Sequence, residues 1–153
     1  MNTAKHLNGS SLQPLQKRRL PYRELACMLL GSLLGTYLDL YFVGKSIYQF
    51  PIRPLPEIFS INIAFTLVGL PILVLIFVRC LSQVNKWGKA GIILFVSLLM
   101  SIFEKLAEAF GWYVHIDGWQ HLYTFFGYLL FLSIITLFFE WTAKWNRKNK
   151  KPR

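Results

Sequence analysis

Hydrophobic residues in this chain form four long blocks, at residues 25–44, 58–78, 90–110 and 122–139. Within each block the apolar residues are nearly continuous and do not recur on one helix face only. At 1.5 Å per residue, a block of about 20 residues crosses the ~30 Å hydrocarbon core of a bilayer as an α-helix. The pattern therefore predicts an all-α protein, an integral membrane bundle of four transmembrane helices.

Small residues in the first block predict a close approach between helices. Gly31 and Gly35 make a GxxxG step, which lets the backbone of a neighbouring helix come near. Asp39 lies one further step of four along this face, so we expect the same interface to shield its carboxylate from lipid. The neighbour could be another helix of this chain, a second copy in a homo-oligomer, or a partner membrane protein.

The second block has polar residues on one helix stripe. Asn62, Thr66 and Gly69 follow each other by four and three positions, which places them on the same side of a helix. Pro71 lacks a backbone N–H and frees a carbonyl about one turn earlier. We expect this stripe to pack against another helix and the proline to kink its own helix.

The third block ends in charged residues that are still inside the apolar segment. Ser97, Ser101, Glu104 and Glu108 share one stripe, and Lys105 lies between the two carboxylates. Ionisable groups in a membrane helix are costly unless they face other helices or a water-filled cavity. This block therefore predicts a polar interior.

Three helices bring polar groups to a similar depth. Counting helix rise from the predicted inner edge places Asp39 and Glu104 about 21 Å and Asn62 about 22 Å into the core. The predicted polar cluster consists of Asp39, Asn62, Glu104, Lys105 and Glu108, and the external loops could add Arg53, Glu57, His115 and His121. The cluster is expected in the outer half of the membrane.

Three interpretations of this cluster stay open from the sequence. Paired charges could fix how the helices pack, the carboxylates could bind or pass a proton or cation, or they could serve a membrane-embedded enzyme. Nucleophile, HExxH, P-loop and dinucleotide motifs are absent from the sequence, so no catalytic residue is assigned. His115 and His121 are six residues apart, which suits no standard metal-binding helix motif, and no metal or cofactor is predicted.

Charge distribution predicts the orientation. The chain carries a formal net charge of +10, and with the amino terminus inside, fourteen Lys and Arg fall on the cytoplasmic side against two, Lys45 and Arg53, outside. Both termini are then cytoplasmic, in basic tails at residues 1–24 and 142–153. These clusters adjoin apolar blocks, so the expected partner is a lipid bilayer with an anionic inner leaflet, and no nucleic-acid partner is predicted.

The run GTYLDLYFVGKSIYQFPIRPLPEIFSINIAFTLVGLPI at residues 35–72, together with FEKLAE at residues 103–108, resembles a family of small multi-pass integral membrane proteins from spore-forming Gram-positive bacteria. The resemblance implies a location in the bacterial cell membrane. It supplies neither an activity nor site residues. The expected function is that of an accessory or structural protein of the bacterial envelope, and the alternative is a small proton- or cation-coupled carrier or channel that uses the intramembrane carboxylates.

Overall fold

The computed structural model describes residues 22–115 and 119–149. Most of these residues are helical. The elements in chain order are α1 (Tyr22–Gly44), β1 (Tyr48–Gln49), a π-helical turn (Phe65–Gly69), α2 (Leu70–Leu81), α3 (Lys86–Ala109), β2 (Val114–His115) and α4 (His121–Asn149). The predicted tails fall outside the described residues up to position 21 and from position 150 onward.

Three helices are long and apolar enough to cross a membrane, at Tyr22–Gly44, Lys86–Ala109 and Leu122–Trp145. The helix at Phe65–Leu81 is apolar but shorter. Large apolar side chains cover the outside of the bundle, since Leu33, Phe95 and Leu137 are each at least 65% exposed. A surface so rich in exposed apolar groups is typical of a protein that faces lipid.

Ion pairs and strand pairing define the two ends of the bundle. At one end, here called the basic end, Glu24 near the start of α1 lies 3.1 Å from Arg79 of α2, and Lys89 near the start of α3 lies 2.7 Å from Glu140 of α4. At the opposite end, here called the loop end, β1 pairs with β2 in antiparallel orientation. Successive helices therefore run in opposite directions between the two ends.

The GxxxG step packs against α2 of the same chain. A Cβ atom on Gly31 would lie 2.7 Å from Cγ2 of Val74, and one on Gly35 would overlap the side chain of Leu70. The close approach that the sequence predicts thus occurs within the chain. A second copy or another partner on this face would have to displace α2.

The turn before Pro71 has π-helical geometry, and α1 completes its hydrogen bonding. The N–H of Leu70 donates to the carbonyl of Phe65, five residues earlier. In this register the carbonyl of Thr66 would need the N–H of residue 71, which proline lacks. The Ser32 hydroxyl of α1 donates to that carbonyl at 2.8 Å. A defect in one helix is therefore repaired by its neighbour.

Two helix ends differ from the ends of the apolar blocks. The second helix begins at residue 63, not 58, because Arg53 holds the preceding segment in a folded loop by donating to the carbonyls of Phe50, Pro56 and Phe59. The last helix continues past residue 139 to Asn149, so much of the predicted tail from residue 142 is helical. Gly and Pro are absent between residues 128 and 151, which permits this extension.

The buried core lies between the two ends and consists of apolar side chains from α1, α2 and α4. Its buried members are Cys27, Leu70, Val74, Phe77, Val78, Leu81, Phe131, Leu132, Ile135 and Phe139. Part-buried side chains of α3, among them Ile92, Ile93 and Val96, pack against it. Polar and apolar layers are thus stacked along the bundle, and the carboxyl groups of Asp39, Glu104 and Glu108 lie on the loop-end side of the apolar core.

Candidate functional site

The first carboxyl group of the site is that of Asp39, near the end of α1. It accepts a hydrogen bond of 2.5 Å from the hydroxyl of Tyr48 on β1. Burial, reinforced by the nearby Asp39 carboxyl, raises the pKa of the Tyr48 phenol well above its ordinary range. Tyr48 therefore remains a hydrogen-bond donor to Asp39 at physiological pH.

The second carboxyl group, Glu104 of α3, is bound from α4 and from β2. The Thr124 hydroxyl donates to its Oε1 atom at 2.6 Å, and Nε2 of His115 lies 3.1 Å from the same oxygen. Trp119 in turn donates its indole N–H to the Thr124 hydroxyl at 3.0 Å. The hydroxyl of Thr124 is thereby oriented toward the carboxylate.

The third carboxyl group, Glu108, lies one helical turn after Glu104 and shares His115 with it. Nδ1 of His115 is 3.3 Å from Oε1 of Glu108, while the other ring nitrogen faces Glu104. The His115 side chain is 4% exposed, against 12% for Glu104 and 33% for Glu108. A protonated imidazole has two N–H donors, so it can bridge the two carboxylates that would otherwise repel each other.

Aromatic rings surround these polar groups. The strand register sets Tyr48 opposite His115. Tyr113 packs edge-on to the His115 ring at 4.6 Å and lies 4.8 Å from the Tyr48 ring, while Trp119 stacks on the His115 ring at 5.1 Å. This shell limits access of water, which strengthens the electrostatic interactions beneath it.

We refer below to one set of residues as the polar cluster. Its members are Asp39, Tyr48, Glu104, Glu108, His115 and Thr124. Tyr48 and His115 are paired across the two strands with their ring centroids 6.3 Å apart, and this pairing connects the two halves of the cluster. The cluster joins α1, α3 and α4 to the two short strands.

Several of the residues predicted for the site lie elsewhere. Asn62 accepts a hydrogen bond from the N–H of Phe65 at 3.2 Å and so caps the start of the second helix. Lys105 and Glu57 are exposed, and Arg53 binds the carbonyls of its own loop. The side chain of His121 lies outside what the structure describes. Of the predicted residues, the structure brings together Asp39, Glu104, Glu108 and His115.

Sequence reasoning missed the hydroxyl groups that complete the cluster. Tyr48 lies in a loop whose polar and apolar residues have no diagnostic spacing, and its role depends on pairing with a strand 66 residues away. Thr124 does carry a signal, because it is a hydroxyl residue in the first turn of α4, ahead of an apolar run at residues 125–132. Such a residue can donate to a facing carboxylate when neighbouring helices pack closely.

The polar stripe of α3 does not continue as a side-chain network toward the basic end. The Ser101 hydroxyl donates to the carbonyl of Ser97, and the Ser97 hydroxyl donates to the carbonyl of Ile93. On α4 the Thr136 hydroxyl likewise donates within its own helix, to Leu132. These hydroxyls donate to backbone carbonyls of their own helices. The series of side-chain contacts that begins at Glu108 therefore extends to Glu104 and Thr124 and does not follow the stripe to Ser101.

Among residues 22–115 and 119–149, no group of three or more His, Cys, Asp or Glu side chains is arranged to hold a metal ion. The two cysteines are free thiols, with Cys27 buried and Cys80 exposed.

Comparisons of the chain with protein-family models, with curated proteins and with solved structures found no match. The resemblance to small multi-pass membrane proteins of spore-forming bacteria thus remains an expectation from the sequence. Any function has to be argued from the geometry of the site.

Proposed function

We propose that this chain crosses the membrane four times, with both termini in the cytoplasm and the loop end outside. The contacts of α2 support the fourth crossing, because Thr66 meets Ser32 in the middle of α1 while Arg79 meets Glu24 at the basic end. The excess of Lys and Arg at the basic end supports the orientation. The segment Phe65–Leu81 would be about 26 Å long at 1.5 Å per residue, slightly short of the ~30 Å core.

Thiol labelling in intact cells tests this topology. A membrane-impermeant maleimide should react with a Ser46→Cys variant that also carries Cys80→Ser, because residue 46 is exposed at the loop end. It should label Cys80 of the unaltered protein only after the membrane is permeabilised. Labelling of Cys80 but not of residue 46 in intact cells would show that the orientation is the reverse of the one proposed. Labelling of both positions from the same side would show that α2 does not cross the membrane.

We infer that the protein is an accessory or structural component of the bacterial envelope, in which the polar cluster holds the helices and both connecting segments in one arrangement. One observation carries this conclusion: each of the three carboxyl groups contacts a side chain of the same chain. Tyr48 donates to Asp39, Thr124 donates to Glu104, and His115 lies between Glu104 and Glu108. A bacterial cell membrane is proposed as its location on the basis of the sequence resemblance.

The core favours this structural function over transport. An ion that reached Glu104 from outside would next meet the apolar layer around Val74, Phe131 and Ile135, which are at most 8% exposed. The hydroxyls of Ser97 and Ser101 are bonded to their own helix. Moving a charge through such a layer is costly without polar groups or water to stabilise it.

Reconstitution into liposomes tests the conclusion. Purified protein should give no pH- or cation-driven flux above that of protein-free vesicles, and Glu104→Gln should lower the thermal stability of the protein. Lys105→Gln, an exposed site next in sequence, is the matched control and should leave stability unchanged. A flux that Glu104→Gln abolishes, while folding and expression are retained, would contradict the structural function.

That same flux would support the second candidate, a proton- or cation-coupled carrier or channel. Its specific support is the series of contacts that leads from the partly exposed Glu108, at 33%, through the buried His115, at 4%, to Glu104, at 12%. A proton arriving from the loop end could pass along this sequence of groups. Oligomers or a second conformation would then have to supply the remainder of the path through the apolar layer.

A further inference from the structure

A second polar site lies at the basic end, on the opposite side of the core from the polar cluster. A cavity of about 350 Å³ opens there between side chains of all four helices and of the segment that joins α2 to α3. Arg23, Lys89, Lys144 and Glu140 line it together with the apolar side chains of Leu81 and Phe139. We call this site the basic cavity. Its volume is at the lower end of the range for small-ligand sites.

Three cations in the basic cavity face one carboxylate. Lys89 lies 2.7 Å from Oε1 of Glu140, and Lys144 follows Glu140 by four positions on the same helix. Glu140 can neutralise about one of the three positive charges. The cavity therefore keeps a net positive charge that an anion would complement.

Arg23 is fixed in this cavity by two contacts. Its guanidinium lies 4.2 Å from the centroid of the Phe139 ring, and Nη2 donates to the Phe139 carbonyl at 3.2 Å. The Nε atom of Arg23 is buried and, among the described residues, has no hydrogen-bond acceptor. A guanidinium held in one orientation presents a planar set of N–H donors, which is well suited to a tetrahedral oxyanion.

The position along the bundle agrees with the headgroup region of a membrane. Trp87, Trp141 and Trp145 are each more than half exposed, and they flank Lys89, Glu140 and Lys144 in sequence. Exposed tryptophans of this kind are enriched at the interface between lipid and water. The segments 1–21 and 146–153 contain no Asp or Glu, so neither tail offers an acidic side chain to the cavity.

We propose that the basic cavity binds a phosphate group, the chemistry shared by anionic phospholipid headgroups and by inorganic phosphate. Arg23 and Lys144 would donate to the phosphate oxygens, and Lys89 would divide its charge between the phosphate and Glu140. The partly exposed apolar side chains of Val84 and Ala143, which also line the cavity, suit the start of an acyl chain or glycerol backbone. Basic pockets between membrane helices on the cytoplasmic side commonly bind anionic headgroups.

Thermal unfolding of the full-length protein in a neutral detergent tests the proposal. Added phosphatidylglycerol should raise the unfolding midpoint by about 5 °C at saturation, and phosphatidylcholine, whose headgroup has no net charge, should raise it far less. Inorganic phosphate is compared with chloride at equal ionic strength. A shift with phosphatidylglycerol alone identifies a lipid headgroup, a shift with both identifies the phosphate group as sufficient, and each result supports the site.

Three variants distinguish binding in the basic cavity from non-specific attraction of anions to the positively charged basic end. Arg23→Gln and Lys144→Gln should each lose more than half of the shift, whereas Lys86→Gln should retain most of it, because Lys86 is exposed at the same end but does not line the cavity. Lys144 is exposed, so its variant keeps the test valid if Arg23→Gln fails to fold. No shift with either ligand, or an equal loss in Lys86→Gln and Lys144→Gln, overturns the proposal.

Discussion

At the loop end, three carboxyl groups lie beneath a shell of aromatic rings, whereas at the basic end three cations line an open cavity around one carboxylate. The loop end matches each of its carboxyl groups with a hydroxyl or an imidazole of the same chain. The basic end leaves part of its charge unmatched by the described side chains. Burial explains the difference, since a buried charge needs its partner within the fold, whereas an exposed charge can be matched by water or headgroups.

The comparison predicts that equal chemical changes have unequal effects at the two ends. The largest effect is expected for Glu104→Ala, which leaves the Thr124 hydroxyl and Nε2 of His115 facing a void. Removing one partner of a buried charged pair costs about 3 kcal/mol or more. Thermal or denaturant unfolding in detergent measures the loss, and Glu104→Gln should lose less because its amide oxygen can still accept from Thr124. Wild-type stability in both variants would mean that the polar cluster does not stabilise the loop end.

Tyr48→Phe should have the next largest effect, about 1.5–3 kcal/mol, since it removes one hydrogen bond to a carboxyl group. The ring and its packing on Tyr113 would be retained. Tyr41→Phe is a suitable control, because Tyr41 is half exposed and also packs edge-on against an aromatic ring, that of Phe42. Equal losses in the two variants would assign the effect to phenol hydroxyls in general, and not to Asp39.

Ser32→Ala tests the region between the two ends, with an expected loss of about 1 kcal/mol. The change leaves the carbonyl of Thr66 without the donor that compensates for Pro71. Ser133→Ala is the matched control, because the Ser133 hydroxyl bonds only a carbonyl of its own helix, that of Leu129. Unfolding measurements on both variants should give the larger loss for Ser32→Ala, and the reverse order would contradict the role given to the π-helical turn.

The smallest effect is expected for Glu140→Gln at the basic end, at less than about 1 kcal/mol, because the Glu140 side chain is 40% exposed. The same variant should bind phosphatidylglycerol more tightly, since it removes the one carboxylate from the basic cavity. Stability and the lipid-induced shift of the unfolding midpoint can be measured in one experiment. A loss of stability as large as that of Glu104→Ala would contradict the prediction that the basic end is less sensitive than the loop end to the loss of a carboxylate.

Features that depend on hydrophobic patterns many residues long could be predicted from the sequence. Apolar blocks predicted a helical protein with four transmembrane helices, and the structure confirms the helical class and three helices of membrane length, whereas the helix at Phe65–Leu81 is shorter. The spacing of Gly31 and Gly35 predicted a close helix approach, and the structure assigns it to α2. Helical periodicity was enough for these features because it recurs over many residues.

Features that depend on a few distant residues were not predictable in this way. Strands of two residues leave no periodic signal, so neither the pairing of β1 with β2 nor the meeting of Tyr48 with Asp39 could be derived. The start of the second helix was placed too early because Ile58 and Phe59 are as apolar as a helix core. Asn62, a favoured capping residue, carried the signal that would have corrected it.

The hydrogen bond between Thr124 and Glu104 has a consequence for the order in which the protein is made. Thr124 belongs to α4, which leaves the ribosome after the residues of two other contacts, Asp39 with Tyr48 and Glu108 with His115. A chain that stops before α4 would keep those two contacts and leave Glu104 without its hydroxyl donor. A partly synthesised chain therefore differs from one that includes α4 in a Glu104 carboxyl that has lost one of its two polar contacts and keeps the one to His115.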